Sequence, residues 1–514
     1  MTNKIYLIIL VIFSICINQY FGNRGVFPID TFLHFDAAYN ISSGNHPFKD
    51  YWSITGTFID YTQAFFFIIF GVNWFSYVFH ASLLNMALTL FSFYFFINIG
   101  LKNFYAFVYS LGVAILAYPP VGVPFVDHHA VIFCVMALYS LILGILIKKN
   151  FYWFLTPVFL IFSFFSKQIP SSYLIVLFII IIFTYFLLTK NKNNKNLFYL
   201  FLGVLFSIFL IFNLFFINEI PIRNFLIQYI LYPVSLGAER VNTLNIDFGN
   251  LFGQFKFIYF ALIPLMIGTF FLIKKNKKNL IQNKELIASL IFLSSIGIFI
   301  YCQLLTKNQV LIFFLIPISS AFSHTYITKF FEKKYLIYFI LMVFIFSTAK
   351  YHMRFNYNKK FMDLANVDFN LSVDASHLDA RLSGLRWITP DYTDNPSDEI
   401  NLLIEAKNFL FNEKNKKIII TDYQFFSSLL LNKIASPNKW YDEISIPNKK
   451  NRYYYNYKDF FLSKIKYNEV KYIYFIGKRK HKMNFFNDLL YENKCIDSRK
   501  INELLIEFNI SQCK

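Results

Sequence analysis

Apolar residues gather along the chain in eleven long runs, at 5–21, 74–99, 104–120, 128–147, 151–166, 171–189, 197–217, 255–273, 286–305, 309–325 and 335–350. A bilayer-spanning helix needs roughly 18 or more such residues in succession. The pattern therefore predicts an α-helical polytopic membrane protein with about eleven transmembrane helices. Only Lys4 precedes the first run as a charge, and no small-residue cleavage site stands before "NQYFGNRG". That run is expected to stay in place as an anchor.

Residues 58–99 are too long for one helix and too short for two helices with a tight turn, and Gly71 and Asn73 interrupt them. We expect 58–70 to lie in the membrane interface with Asp60 and Gln63 facing water. The span proper would open at Trp74, whose ring suits the headgroup level. After residue 355 the pattern changes character. A helical period in "SDEINLLIEAKNFLFNE" (397–413), a β-rich "KKIIIT" (416–421), a helix in "QFFSSLLLNKI" and a strand in "VKYIYFIG" (470–477) succeed one another. Helices alternating with short buried strands predict a small C-terminal α/β domain. The chain thus divides into a membrane domain, 1–355, and a soluble domain, 356–514.

A composition of 56% hydrophobic residues fits that reading, whereas a formal charge of +19 invites a nucleic-acid partner. The placement of the charge argues against one. Its lysines cluster in short loops between apolar runs, as cytoplasmic loops do. With the N-terminus inside, fifteen lysines fall on the inner side against Glu285 and Glu332. The outer loops hold only Arg24, Lys49, Lys167, Arg223, Arg240, Lys256 and Lys307. An odd number of spans then puts the soluble domain outside, on the periplasmic face of a bacterial inner membrane. Cys16, Cys134 and Cys302 read as small core residues. Cys495 and Cys513 could pair in an oxidising compartment, and no cysteine spacing suits zinc.

The outer loops then carry whatever chemistry there is. The first, "IDTFLHFDAAYNISSGNHPFKDYW" (29–52), holds Asp30, His34, Asp36 and Asp50. On one helix from 30 to 43, Asp30 and His34 would share a face and Asp36 another. These carboxylates suit general-base work or a divalent cation; alternatively Asp30 caps the helix and Asp36 is simply solvated. The second loop places Asp127, His128 and His129 where an apolar helix begins. Adjacent imidazoles point about 100° apart and make poor zinc partners, but Asp36 and Asp127 could share Mg²⁺ or Mn²⁺. In "FSFFSKQIP", Lys167 and Gln168 stand at the outer end of a span. Lys167 there either snorkels to the interface or meets a lipid phosphate. Arg223, Arg240 and Lys307 reach the same level and could add charge-assisted contacts.

Taken in order, the anchor, "D-x5-D … G-x-x-P-F-x-D", an interfacial helix ending in "FG", a second outer Asp and an "F-S-K-Q" break resemble the GT-C glycosyltransferases, specifically the RgtA/B/C/D-like group. That superfamily includes protein O-mannosyltransferases and the aminoarabinose transferases of lipid A. The resemblance covers residues 5–325 and implies transfer of a sugar, with inversion, from a polyprenyl-phosphate donor to a lipid, glycan or protein acceptor. Asp30, fourteen positions before Gly44, matches the family's catalytic acid. Where the family carries a second acid directly after it, Thr31 stands here, which leaves Asp36 open as its substitute. Asp127 matches the second-loop acid and Lys167 the base beside the lipid phosphate. His128, Gln168, Arg223 and Lys307 complete the expected substrate-binding set. The resemblance further implies that 58–70 floors the site and admits the lipid tail, that "P-F-K-D" with Asp50 shapes that floor, and that 356–514 covers it.

A transporter or flippase would carry mid-membrane charges and internal repeats, and neither is seen. A polymerase or ligase of lipid-linked glycans would place its large loop between late spans. A non-catalytic anchor would leave the outer charges unexplained.

Overall fold

In the computed structural model the molecule is described over residues 2–147, 149–188, 194–244, 246–275, 283–307, 311–330, 334–431, 436–478 and 496–511. Each of the eleven apolar runs is a helix. Among the described residues, eight helices are long and apolar enough to cross a membrane. The other three runs form the shorter helices Asn103–Leu116, Asn150–Ser166 and Leu315–Phe330. The first of these stops just short of Pro119 and Pro120, whose rings cannot continue a helix. Helix Val126–Ile147 is buried along nearly its whole length. It is apolar on every side because neighbouring helices, not lipid, surround it.

Close approach at the end of the anchor helix is made by glycine. A Cβ on Gly122, which adopts φ +80°, would sit 2.4 Å from the Cα of Gly22 and 2.7 Å from its nitrogen. Nearby, the Asn18 amide donates to the Gly122 carbonyl at 3.1 Å. The anchor is thereby locked to the turn that precedes helix Val126–Ile147. Cys16 on that anchor is exposed, contrary to the expected core position, because the helix lies at the rim of the bundle; Cys134 and Cys302 are buried. Cys495 and Cys513 lie outside the described residues.

Helix Thr57–Phe70 has the polarity opposite to the expected one. Asp60 and Gln63 are fully buried, while Phe65, Ile68, Ile69 and Phe70 are exposed. The polar face finds partners inside: the Gln63 amide oxygen lies 2.9 Å from His80 Nδ1, and Asp60 meets His34 and Lys439. Lipid accepts the apolar face, so nothing holds the polar one toward water.

The C-terminal α/β domain contains a four-stranded sheet in the order Lys417–Thr421, Tyr472–Ile476, Leu505–Asn509, Asp497–Lys500. The first two strands are parallel and the remaining pairs antiparallel. Helices Pro396–Asn412 and Tyr454–Tyr467 flank it. Of the helix expected after Gln424 only Phe426–Leu429 forms among the described residues. This domain does not stand apart. Phe32 of the first loop packs between Trp74, Trp387 and Phe425, so one apolar core joins the two halves.

The Gly22–Gly122 contact is backbone on backbone and has no flexible atom to yield. Gly122→Ala is expected to cost about 1–3 kcal/mol by overpacking, read as a lowered thermal midpoint of the detergent-solubilised protein. Gly297→Ala, in a helix with open space where its Cβ would go, should leave the midpoint in place.

Candidate active site

The outer loops of the charge pattern meet at one end of the bundle around a cavity of about 1420 Å³. The first loop contributes Asp30, Leu33, Ile54 and Thr55, and the second Phe125 and Asp127. Lys167, Gln168 and Tyr173 come from the third, Val234 and Arg240 from helix Tyr232–Asn242, and residues 440–449 from the C-terminal domain. Among the described residues, helix Thr57–Phe70 adds nothing to the lining, so it is not the expected floor.

Asp127 opens helix Val126–Ile147, and helix Asn150–Ser166 ends one residue before Lys167, whose backbone is extended. That break turns the lysine across to the aspartate. Its Nζ lies 2.7 and 2.8 Å from the two carboxylate oxygens. Asp127 is 2% exposed and Lys167 14%, so the pair sits where removing either partner would strand a charge. Gln168 follows and donates both to the Ile54 carbonyl at 2.7 Å and to the Tyr229 carbonyl at 2.9 Å. It ties the first loop to the segment that leads into Tyr232–Asn242.

The first loop is not one helix from 30 to 43. It forms Pro28–Thr31 and Phe35–Ser42, broken at Phe32–His34 where Phe32 enters the shared core. Asp30 consequently faces the cavity, partly exposed, while His34 turns inward and is fully buried. His34 Nδ1 lies 2.6 Å from Asp60 Oδ1, and Lys439 Nζ lies 2.5 Å from Asp60 Oδ2. Burial, and then the Lys439 ammonium, hold the imidazole well below its ordinary pKa. An ionised Asp60 carboxylate can only accept, so this contact has the His34 Nδ1–H as its donor.

Asp36 is drawn away from the cavity. Its two oxygens accept the backbone N–H groups of Ser427 and Ser428 at 2.9 and 3.0 Å, and burial pushes its carboxyl up to about 7. The expected metal pair, Asp36 with Asp127, does not form: one carboxylate holds the C-terminal domain and the other faces Lys167 with both oxygens. Among the described residues no group of three His, Cys, Asp or Glu is arranged to hold a metal, and we derive no step through a cation.

His128 does not line the cavity; it is buried among Tyr118, Phe125 and Phe361. Arg223 and Lys307 are exposed and also lie outside the lining. Arg240, expected at the same level as these two, does line the cavity. Asp50 accepts the His46 N–H at 2.8 Å and shapes its own loop. Sequence reasoning expected 356–514 to cover the site but singled out neither Lys439 nor the 440–449 wall. "SPNKWYDE" has neither helical nor strand period, and nothing in it points to a partner 379 residues earlier.

No protein-family model matches the chain, and no curated protein matches it. Among solved structures it is similar to the apo form of an oligosaccharyltransferase from Archaeoglobus fulgidus, with a TM-score of 0.47 and 13% identity over 92% of this chain and 69% of that one. The complex of that oligosaccharyltransferase with Zn and sulfate aligns with a TM-score of 0.46 and 14% identity, over 91% and 67%.

The Asp36 anchor makes stability depend on pH. The folded carboxyl keeps its proton to about pH 7 against an ordinary value of 3.8, so the folded state binds more protons between those limits. The stability this proton contributes is complete below the ordinary value and is lost as pH rises through about 7. The wild-type thermal midpoint should therefore fall between about pH 5 and pH 8, and Asp36→Asn should flatten that part of the curve. Equal slopes in both proteins would assign the step to other groups.

Proposed function

We propose that this chain is an inverting membrane glycosyltransferase of the GT-C type, RgtA/B/C/D-like. It takes a sugar from a polyprenyl-phosphate-linked donor and passes it to a hydroxyl of a lipid, glycan or protein acceptor on the outer face of the membrane. One observation carries this reading: Asp30, Lys167 and Arg240, from three separate loops, line one cavity at the end of a helix bundle. Apolar side chains fill in between, among them Ile169, Tyr173, Val234 and Val241. Such a lining suits an isoprenoid chain with an anionic head.

Each group then has a task. Asp30 is assigned the base, since it lines the cavity, is partly exposed and stands where the resemblance puts the catalytic acid. It accepts the proton of the acceptor hydroxyl as that oxygen attacks the anomeric carbon. The bond from that carbon to the donor phosphate breaks on the opposite face, which inverts the configuration. Arg240 and Lys167 meet the phosphate as negative charge grows on it, with their positions already fixed before reaction. Asp127 orients Lys167 and offsets part of its charge, which leaves the larger share of the phosphate to Arg240. A planar guanidinium suits that task, because it can grip two phosphate oxygens at once. Gln168 acts through the backbone it pins and touches neither substrate.

Asp30→Asn keeps the size of the side chain and removes its basicity. Transfer from a synthetic polyprenyl-phosphate sugar in reconstituted membranes should fall by about 10²–10⁴-fold, while the protein accumulates normally. Near wild-type rates in that variant would take Asp30 out of the mechanism. Arg240→Ala is expected to raise the donor KM by about tenfold or more and leave the acceptor KM in place. Lys167→Ala is the weaker test, because it strands the buried Asp127 carboxylate and unsettles the fold at the same time.

A further inference from the structure

The segment 436–449 leaves the C-terminal domain and runs between two walls of the membrane half. Along the first loop it pairs as a short strand: the Trp52 N–H donates to the Pro437 carbonyl at 2.9 Å, and the Lys439 N–H to the Trp52 carbonyl at 3.0 Å. The Trp440 indole donates to the Leu33 carbonyl at 3.0 Å. On the far side the Tyr232 hydroxyl donates to the Ile444 carbonyl at 2.7 Å. Between these attachments residues 440–449 line the cavity, and their polar side chains, Asp442, Glu443, Ser445, Asn448 and Lys449, join those of the membrane half.

One side chain of the segment goes deeper. Lys439 Nζ passes Trp440, whose ring centre is 4.3 Å away, and ends 2.5 Å from Asp60 Oδ2, with 2% and 0% of the two side chains exposed. The space is made for it. Gly56 beside the pair adopts φ +80°, and a Cβ there would sit 2.6 Å from His34 Cε1 and 3.1 Å from Lys439 Nζ. A buried ion pair adds little stability over an apolar pair of the same size, but it tolerates few geometries. Its value here is placement.

We propose that Lys439 is a positioning residue. Its pair with Asp60 docks 439–449 as the acceptor-side wall of the cavity, so that acceptor binding depends on it while donor binding does not. The division follows from the lining: the cations and apolar side chains assigned to the donor all belong to the membrane half. The assignment of this wall to the acceptor rests on the glycosyltransferase reading, whereas the docking itself does not.

The double variant Asp60→Asn/Lys439→Met tests it in the full-length protein. It removes both charges, keeps the packing volume, and leaves an amide oxygen to accept from His34. Hydrogen exchange read by mass spectrometry should be faster over 439–449 and 52–55. The acceptor KM should rise by about tenfold or more, with the donor KM changed less than about twofold. Lys439→Arg retains the pair and should keep exchange and acceptor KM within about threefold of wild type. Unchanged exchange in the folded double variant would overturn the proposal. Equal rises in both KM values would do the same, since they mark general loosening, as would a Lys439→Arg protein as impaired as the double variant. A wild-type protein that transfers no sugar from any polyprenyl-phosphate donor would instead refute the function reading, and exchange alone would then decide whether Lys439 docks the segment.

Discussion

A carboxylate withdrawn from water costs several kcal/mol unless a cation or a set of N–H groups meets it, and this molecule withdraws several of them at or near one end of its bundle. Asp127 is met by Lys167, Asp60 by Lys439 and His34, and Asp36 by the Ser427 and Ser428 amides. Glu399 is met by Trp387, Thr389 and Tyr423, with their N–H and O–H groups all donating to it. Each requirement fixes a chain path. The break after Ser166 exists to carry Lys167 to Asp127, and the first loop bends so that His34 and Asp36 point to different partners.

Apolar packing and charge pairing reinforce one another at the junction of the two halves. Phe32 occupies the break in the first loop and contacts rings from both the membrane helices and the C-terminal domain. Four positions later Asp36 takes two amides of that domain, and Asp60 takes its lysine. Burial of Phe32 supplies the non-directional attraction; the carboxylates set the orientation. The C-terminal domain therefore sits on the loop that holds Asp30, and its seat shapes the cavity.

The helices were legible because a span needs a long apolar run and lysine clusters separate such runs. Their ends were less so: the 104–120 run stops at Leu116, ahead of Pro119, and the helix of the 309–325 run opens only at Leu315. The grouping of the loops was also legible: Asp30, Asp127, Lys167 and Gln168, taken together from the charge pattern, line one cavity. Three things could not be read from local pattern. Asp60 looked like a water-facing residue because amphipathicity states that a helix has two faces and not which solvent each one meets. Asp36 looked like a catalytic partner of Asp30 because the resemblance calls for a second acid where Thr31 stands, and nothing in the local pattern pointed to the Ser427 and Ser428 amides. Arg240, not Arg223 or Lys307, lines the cavity because helix Tyr232–Asn242 folds back over it, a path set by tertiary contacts such as that of Tyr232 with Ile444.

The arrangement has a consequence for how the two halves work together. A pair such as Asp60–Lys439 contributes little to stability beyond what matched apolar residues would give, yet it is costly to break by halves. The C-terminal domain is thus held in one seat on the membrane half. Asp30 and Arg240 both line the cavity that this seat completes. On the proposed function, a cavity assembled from two halves lets acceptor and leaving group approach one carbon from opposite faces. On that reading the membrane half offers Lys167, Arg240 and an apolar bed to a lipid-linked phosphate, and the wall from 440–449 offers polar side chains to the acceptor. The buried lysine at the root of that wall is the point at which the two requirements are brought into register.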